Sequence, residues 1–287
     1  MDKKNCIGVI LCGSLFVGGF FLTEGPVAYW NLAAFTVVVS GVLVALLLSY
    51  PFSRIKSAFA VAREVYLKPQ AGNVEIVDTL LDLSVRSRVD GVLSLEKMRA
   101  QTSIAFLKTG LMFLVDNYKE EEIREFLTTE MDFFNLRRQQ CERIFQTLAR
   151  MAPALGVAGS VIGLIGLLMG LHDTALIFKH IPAAFISTLY GLILGNLVFA
   201  PVAEHIHFNT RNELLNQKLI MEGIVAIGKE QNLYKLEKKL ASFLSPAERA
   251  GRTGKAREIA RRYLNEKREA ASEKDRLMKE GILAKAS

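Results

Sequence analysis

Four long stretches of this 287-residue sequence contain no aspartate, glutamate, lysine or arginine, although 23% of its residues are charged. They cover residues 5–23, 25–53, 151–171 and 180–203. Each is long enough for a helix to cross a hydrocarbon core of about 30 Å, which takes roughly 20 residues. Because backbone groups in lipid must be hydrogen-bonded internally, we interpret these stretches as four transmembrane helices. The first lacks a small-residue cleavage site before Glu24, so we interpret it as a retained span rather than a signal peptide.

Basic residues are distributed unevenly around these stretches. Of 36 lysines and arginines, only Lys179 lies in a connection between spans one and two or between spans three and four. The positive-inside rule therefore predicts that both termini and the long middle segment are cytoplasmic. The net charge of +7 is then mainly an orientation signal, and no nucleic-acid-binding motif accompanies it. The three cysteines show no metal-ligand spacing, so we expect no metal and no cofactor.

The segments outside the spans show helical periodicity and almost no strand alternation. Apolar residues at helical spacing predict a helix from about residue 120 to 150 that leads straight into the third span, and the second span is expected to run on past Pro51. The predicted fold is an all-α membrane protein with four transmembrane helices, a helical cytoplasmic domain between spans 2 and 3, and a helical cytoplasmic C-terminal end. The predicted boundaries are transmembrane helices 1 and 2 in 1–53, a cytoplasmic helical domain in 54–150, pore-lining transmembrane helices 3 and 4 in 151–203, a cytoplasmic helical extension in 204–250, and a basic tail in 251–287 that is solvated or partly disordered.

The four spans contain no carboxylate. A protein that moves cations alone usually carries an acid within the membrane, because a dehydrated cation needs charge or several oxygens. In the last two spans only the hydroxyls of Ser160, Ser187 and Thr188 are candidates. Either the chain is not a transporter, or another chain supplies the acid.

Small residues recur in the third and fourth spans. GxxxG spacing occurs at Gly159, Gly163, Gly166, Gly170, Gly191 and Gly195. Such spacing allows close helix packing in lipid. It fits either ordinary packing within one chain or a thin wall around a partner helix. Pro153 and Pro201, at the ends of these spans, are either helix boundaries or hinges. No HExxH, GxSxG, P-loop or GxGxxG motif is present, so we do not expect an enzyme.

Two groups of motifs resemble a known family. The last two spans contain PALG at 153–156, GSVIGL at 159–164, and an AxxxTxxG…P arrangement from Ala184 to Pro201. The middle segment contains RSRVDGVLSLE at 86–96, which is similar to the R-x-x-G-x-x-x-L-E segment of MotA proteins. Over about residues 5–248 the chain resembles the MotA/PomA family of flagellar stator subunits within the MotA/TolQ/ExbB superfamily. TolQ and ExbB proteins lack the middle motif.

The resemblance implies roles for particular residues. Ser160 and Thr188 match ion-pathway positions, and Pro153 and Pro201 match prolines that couple ion flow to motion. Arg88 and Glu96 match charges that contact the rotor protein FliG, although a solvated charged loop explains them equally well. Position 160 is threonine in many members and alanine in some proton-driven ones. Serine at position 160 is compatible with transport of either H+ or Na+, and of the two we expect H+.

The implied function is an ion-conducting stator subunit of the bacterial inner membrane that turns ion-motive force into torque for motility. Five copies are expected around a MotB-like single-span partner with a membrane Asp and a peptidoglycan-binding domain. Two alternatives stay open: a TolQ/ExbB-like energiser driving a periplasmic partner, and a non-conducting membrane scaffold. Ser40, Pro182 and the tail depart from the family pattern and leave room for a motor other than a standard flagellum.

Overall fold

The computed structural model describes residues 3–22, 29–67, 71–169, 174–229, 232–252 and 254–286. Over these ranges the chain is helical and contains no strand, which confirms the all-α prediction. In chain order the α-helices are α1 Lys3–Leu22, α2 Leu32–Ser49, α3 Phe52–Leu67, α4 Asn73–Asp90, α5 Leu95–Gln101, α6 Ala105–Val115, α7 Glu120–Met169, α8 Thr174–Ile193, α9 Ala200–Gly228, α10 Leu233–Ala241, α11 Pro246–Arg249 and α12 Lys255–Ala286. A 3-10 turn (Val92–Ser94) precedes α5, and a π-helix (Leu194–Phe199) joins α8 to α9.

The chain divides into two compact units. The first unit is Met1–Pro69 with Phe134–Arg211, and the second unit is Gln70–Phe133 with Asn212–Ser287. Both α7 and α9 contribute residues to each unit. The helix predicted from about residue 120 continues without a break to Met169, through Pro153.

Three segments of the described chain are long and apolar enough to cross a membrane. They are α2, the segment Glu120–Gly166 that contains most of the third predicted span, and the segment Ala184–Gly228 that contains most of the fourth. The apolar part of α1, Ile7–Leu22, is shorter, so the prediction of four spans stays a prediction. Apolar helices of this length support a multi-pass membrane protein.

The end of α2 differs from the expected continuous helix. Tyr50 adopts an extended conformation with φ −140° and ψ 142°, and α3 begins only at Phe52. Pro51 explains the break, because a proline ring disfavours the helical conformation of the residue before it. The start of α2 is fixed by Asn31, whose side chain accepts a hydrogen bond from the Ala34 backbone N–H at 3.0 Å.

Each unit has its own apolar core. In the first unit α2, α3, α7 and α9 bury Val38, Ala58, Phe145 and Ile206 among others. In the second unit, leucines and isoleucines from α4, α6, α7 and α9 form the centre. The start of α12 joins that second core: Ala256 and Ile259 are buried, so this part of the tail is a packed helix rather than a solvated one.

Candidate functional site

The third and fourth predicted spans, in α7 and α8, pack backbone against backbone. A Cβ added to Gly191 would lie 2.5 Å from the Ala152 carbonyl oxygen, and one added to Gly163 would lie 3.0 Å from the Ala184 Cα. Position 191 has no room for a side chain, and one at position 163 would force the facing backbone to move by a few tenths of an ångström. Gly159 faces the Ser187 side chain so closely that a Cβ there would collide with its hydroxyl. The glycines therefore allow a separation between α7 and α8 that no larger residue permits.

The predicted packing glycines divide into three groups. Gly159, Gly163, Gly191 and Gly195 lie at helix contacts within this chain. Gly166 is a half-exposed residue of α7, and Gly170 lies outside the described residues. Ordinary packing within one chain thus accounts for four of these positions.

Ser160 and Thr188, the two predicted ion-pathway residues, are brought into direct contact. Their hydroxyl oxygens are 2.6 Å apart, and both residues are half-buried. The Ser160 hydroxyl donates its one proton to the Gly156 carbonyl at 3.1 Å. Thr188 is therefore the donor in the hydrogen bond between Ser160 and Thr188. The Thr188 oxygen then keeps lone pairs that can accept from a third group.

Gly156 makes this hydroxyl contact possible. A Cβ at that position would lie 3.2 Å from the Thr188 Cα and 3.0 Å from the Ser187 carbonyl oxygen. Since Gly156 lies one helical turn before Ser160, its missing side chain brings the two helices together next to the hydroxyl pair. Gly156 is the last residue of the PALG motif, and the sequence alone did not indicate this role for it.

Ser187 is the third hydroxyl that the sequence singled out. It is 1% exposed, and its Oγ has no hydrogen-bond partner among the residues that the structure describes. A buried hydroxyl without a partner costs free energy, on the order of 1–3 kcal/mol. The hydroxyl faces Gly159 of α7 and makes no hydrogen bond with Ser160 or Thr188.

Pro153 lies against the π-helix that precedes Pro201. A proline cannot donate the hydrogen bond that Ala149's carbonyl would receive in a regular helix. The backbone oxygen of Ala149 instead faces Gly195, where an added Cβ would lie 2.7 Å from it and 2.7 Å from the Pro153 Cδ. The π-helix ends at Phe199, two residues before Pro201. The two predicted coupling prolines therefore flank one irregular segment, a common setting for bends in helices.

Arg88 and Glu96, the predicted rotor contacts, lie on one sharp turn of the second unit. Arg88 is in the last turn of α4 and Glu96 in the first turn of α5, and both are exposed. Gly91 allows the turn, because its φ of +81° is a conformation that favours glycine. Each charge also suits the dipole of its own helix end, so local helix stability explains both residues without a rotor.

Asp90, on the same turn, accepts hydrogen bonds from Lys267 and Tyr263 of α12. The Lys267 hydrogen bond, and then that of Tyr263, lower the pKa of the Asp90 carboxyl. Sequence reasoning missed this contact. The apolar spacing of Ala256, Ile259 and Tyr263 was the available signal that α12 packs on a partner.

The described residues contain no group of three or more histidine, cysteine or acidic side chains that could hold a metal. What the first unit offers is a pair of hydroxyls between glycine-packed helices whose uncharged stretches contain no carboxylate. This arrangement defines a multi-pass membrane subunit with a polar position inside a helix pair, and no acid of its own to bind a cation there.

Comparison with known proteins agrees with that class. The model of the MotA/TolQ/ExbB proton channel family matches residues 99–218. Motility protein A of Borreliella burgdorferi is 32% identical over 238 residues, which are 83% of this chain and 92% of that protein. The chain belongs to the MotA/TolQ/ExbB proton channel family.

Two solved structures resemble most of this chain. The flagellar MotAB stator complex from Bacillus subtilis superposes with a TM-score of 0.78 at 30% identity, covering 86% of this chain and 98% of the other. The C. jejuni MotAB structure also gives 0.78, at 27% identity, covering 86% and 97%.

Proposed function

We propose that this chain is the ion-conducting stator subunit of a flagellar motor, and that with a MotB-like partner it converts ion-motive force into torque. The observation that carries the proposal is the Ser160–Thr188 hydroxyl pair, 2.6 Å apart, in spans without a carboxylate. The similarity to Motility protein A and to MotAB stator complexes supports it. The chain acts as a motor component and not as an enzyme.

The partner supplies the missing acid. It is a single-span protein with an Asp in the membrane and a peptidoglycan-binding domain that anchors it. Five copies of the chain surround two partner helices in the bacterial inner membrane. The Ser160–Thr188 pair is only half-buried within this chain, so a partner helix can lie beside its exposed part.

The mechanism follows from charge changes beside the hydroxyl pair. The partner Asp takes up an ion, H+ in preference to Na+, and Ser160 and Thr188 line the path. One charge crossing the membrane releases about 2.3 kcal/mol per 100 mV, which can drive small repacking steps between two arrangements of similar energy. The helices adjust at the π-helix Leu194–Phe199, which Pro153 contacts and Pro201 follows. Arg88 and Glu96 transmit the motion to the rotor protein FliG.

The proposed topology has four spans with both termini in the cytoplasm. The unequal distribution of basic residues supports this orientation, since Lys179 is the only one of the 36 lysines and arginines that lies between the first and second or between the third and fourth uncharged stretches. The segments 54–150 and 204–250 then form the cytoplasmic helical parts, followed by the basic tail 251–287.

A bulky residue at position 188 tests the ion pathway. Thr188→Leu should block conduction, because the side chain enters the space beside Ser160, and motility should be lost in a strain that lacks its own stators and carries both genes. Thr36→Leu is the matched control, since Thr36 is exposed on α2 and, among the described residues, its hydroxyl bonds only to the Leu32 carbonyl of its own helix. Co-purification with the partner shows whether each variant assembles. Normal swimming by an assembled Thr188→Leu variant would show that Thr188 does not line the ion pathway. Failure of the unmodified pair of genes to restore swimming to this strain would overturn the proposal and favour a non-conducting scaffold.

A further inference from the structure

A groove of about 640 Å³ lies within the first unit between α3 and α7. Its lining includes the four arginines Arg54, Arg137, Arg138 and Arg143, with Glu64 as its one carboxylate. The floor is apolar, because Ile144 is 2% exposed and Phe134 contributes its ring. A strongly basic groove with an apolar floor suits an amphiphile whose head carries negative charge.

The charges of this groove are incompletely neutralised by protein groups. Arg138 reaches Glu64 at 3.6 Å, and Arg54 donates a hydrogen bond to Gln140. Arg137 and Arg143 have no ion-pair or hydrogen-bond partner within the described ranges of the chain. The Nη1 atom of Arg138 is buried and has no acceptor there. An anion in the groove would supply the oxygens that these guanidinium groups lack.

The position of the groove along the helices places one end at the membrane surface. Arg54 is the first charged residue after the uncharged stretch 25–53, and Arg150 is the last before the stretch 151–171. At about 1.5 Å per residue, Arg143 lies roughly 12 Å from residue 151 along α7. The headgroup layer on each side of a bilayer is about 5–7 Å thick. Arg54 and Arg150 therefore lie at headgroup depth, with Arg143 just beyond it.

A second cavity, of about 380 Å³, adjoins the groove and extends it toward the membrane. Tyr50 and Arg143 line both cavities, and Arg150 lines the second. Tyr50 is held in place by a 3.0 Å hydrogen bond between its hydroxyl and that of Thr147. An aromatic residue with a polar tip is typical of the membrane interface.

We propose that this groove is a binding site for an anionic phospholipid of the adjacent leaflet. The lipid phosphate lies between Arg54 and Arg143, where planar guanidinium groups can bind two oxygens each. The polar head extends toward Arg138, and the acyl chains leave past Tyr50. Basic pockets beside transmembrane helices are established binding sites for lipid headgroups. A bound phosphate would link α3 to α7 and so stabilise the first unit. The site is distinct from the proposed ion pathway.

The test uses the full chain co-purified with its partner in a neutral detergent. Phosphatidylglycerol, phosphatidylcholine and soluble glycerol phosphate are added separately, and bound lipid is counted by native mass spectrometry beside a thermal melt. Phosphatidylglycerol alone should bind and raise the melting temperature. The double variant Arg54→Gln, Arg143→Gln should bind it about 30-fold more weakly, since each interfacial basic residue contributes about 1 kcal/mol. Arg257→Gln, Arg261→Gln is the matched control, since both arginines are exposed on α12, and its binding should be unchanged.

Further variants keep the proposal open to refutation if the double variant assembles poorly. Glu64→Gln removes the groove's carboxylate and should tighten phosphatidylglycerol binding about fivefold. A photo-crosslinking residue at Ser57, which lines the groove, should capture lipid. Capture of a second copy of this chain would show that a protein neighbour covers the groove. That result, equal binding of phosphatidylcholine, or an equal effect of glycerol phosphate would each overturn the proposal.

Discussion

The α7–α8 contact of the first unit and the core of the second unit are packed in opposite ways. The first is formed by positions without side chains, as at Gly163 and Gly191. The second is formed by large side chains that are fully buried, such as Leu80, Leu107 and Leu127. Lipid provides no hydrophobic drive between helices, so close backbone contact has to hold them together. In water, burial of apolar surface provides the drive. The same helix, α7, follows both rules along its length.

This comparison predicts that removing side-chain volume is most harmful in the second unit. Leu107→Ala, at a position with 0% exposure, should lower the free energy of unfolding by about 4 kcal/mol, from lost burial and the cavity left behind. Leu93→Ala is the control, because Leu93 is 74% exposed. Denaturant unfolding of the purified complex measures both. A loss below about 1 kcal/mol for Leu107→Ala would contradict the packing described for this core.

Adding volume should be most harmful in the first unit. Gly191→Ala places a methyl group 2.5 Å from a backbone oxygen that cannot move away alone. We expect a cost of about 3 kcal/mol, and loss of the assembled complex on mild heating in detergent. Gly13→Ala in α1 is the matched control, since a Cβ there meets nothing within 4 Å of this chain. If both variants melt alike, the close α7–α8 contact is not what holds the spans.

Local patterns predicted these two environments well. Charge-free stretches located the three segments that are long and apolar enough to cross a membrane, and glycine spacing located the α7–α8 contact, because both signals lie within one helix. Such signals depend only on neighbouring residues. The family resemblance named Ser160 and Thr188 as ion-pathway residues, but their 2.6 Å contact was not predicted, and it depends on Gly156, which received no role.

Features that join distant residues could not be predicted in this way. Lys267 contacts Asp90 across 177 positions, and nothing in either local segment specifies that pairing. The arginine groove combines Arg54 with Arg143. In the sequence these two residues contributed only to the distribution of basic residues that predicts the orientation in the membrane. The break at Tyr50 was missed for a different reason. Apolar periodicity continues through it, and the local effect of Pro51 outweighs the periodicity.

The second unit also differs from the spans in how it uses charge, which makes its stability depend on pH. Glu222, 19 positions beyond the uncharged stretch that ends at residue 203, is 13% exposed and pairs with Arg124 at 2.9 Å and Lys239 at 2.6 Å. The pKa of Glu222 is lowered from 4.5 to about 2, and the hydrogen bond from Arg124 is the largest cause. A carboxyl whose pKa is lower in the folded than in the unfolded state stabilises the fold at pH values above its unfolded-state pKa. That stabilisation is therefore complete above about pH 4.5 and is lost as the pH falls toward 2.

Glu222→Gln should remove this stabilisation at neutral pH, at a cost of about 2 kcal/mol after allowance for partial solvent screening. Its free energy of unfolding should also fall less steeply with acid than that of the wild type between pH 4.5 and 2. Glu121→Gln is the control, because Glu121 is exposed and has no ion pair among the described residues. Denaturant unfolding at a series of pH values measures both slopes. Parallel pH profiles for Glu222→Gln and the wild type would show that this cluster adds no pH-dependent stability, and the contrast with the uncharged spans would then rest on packing alone.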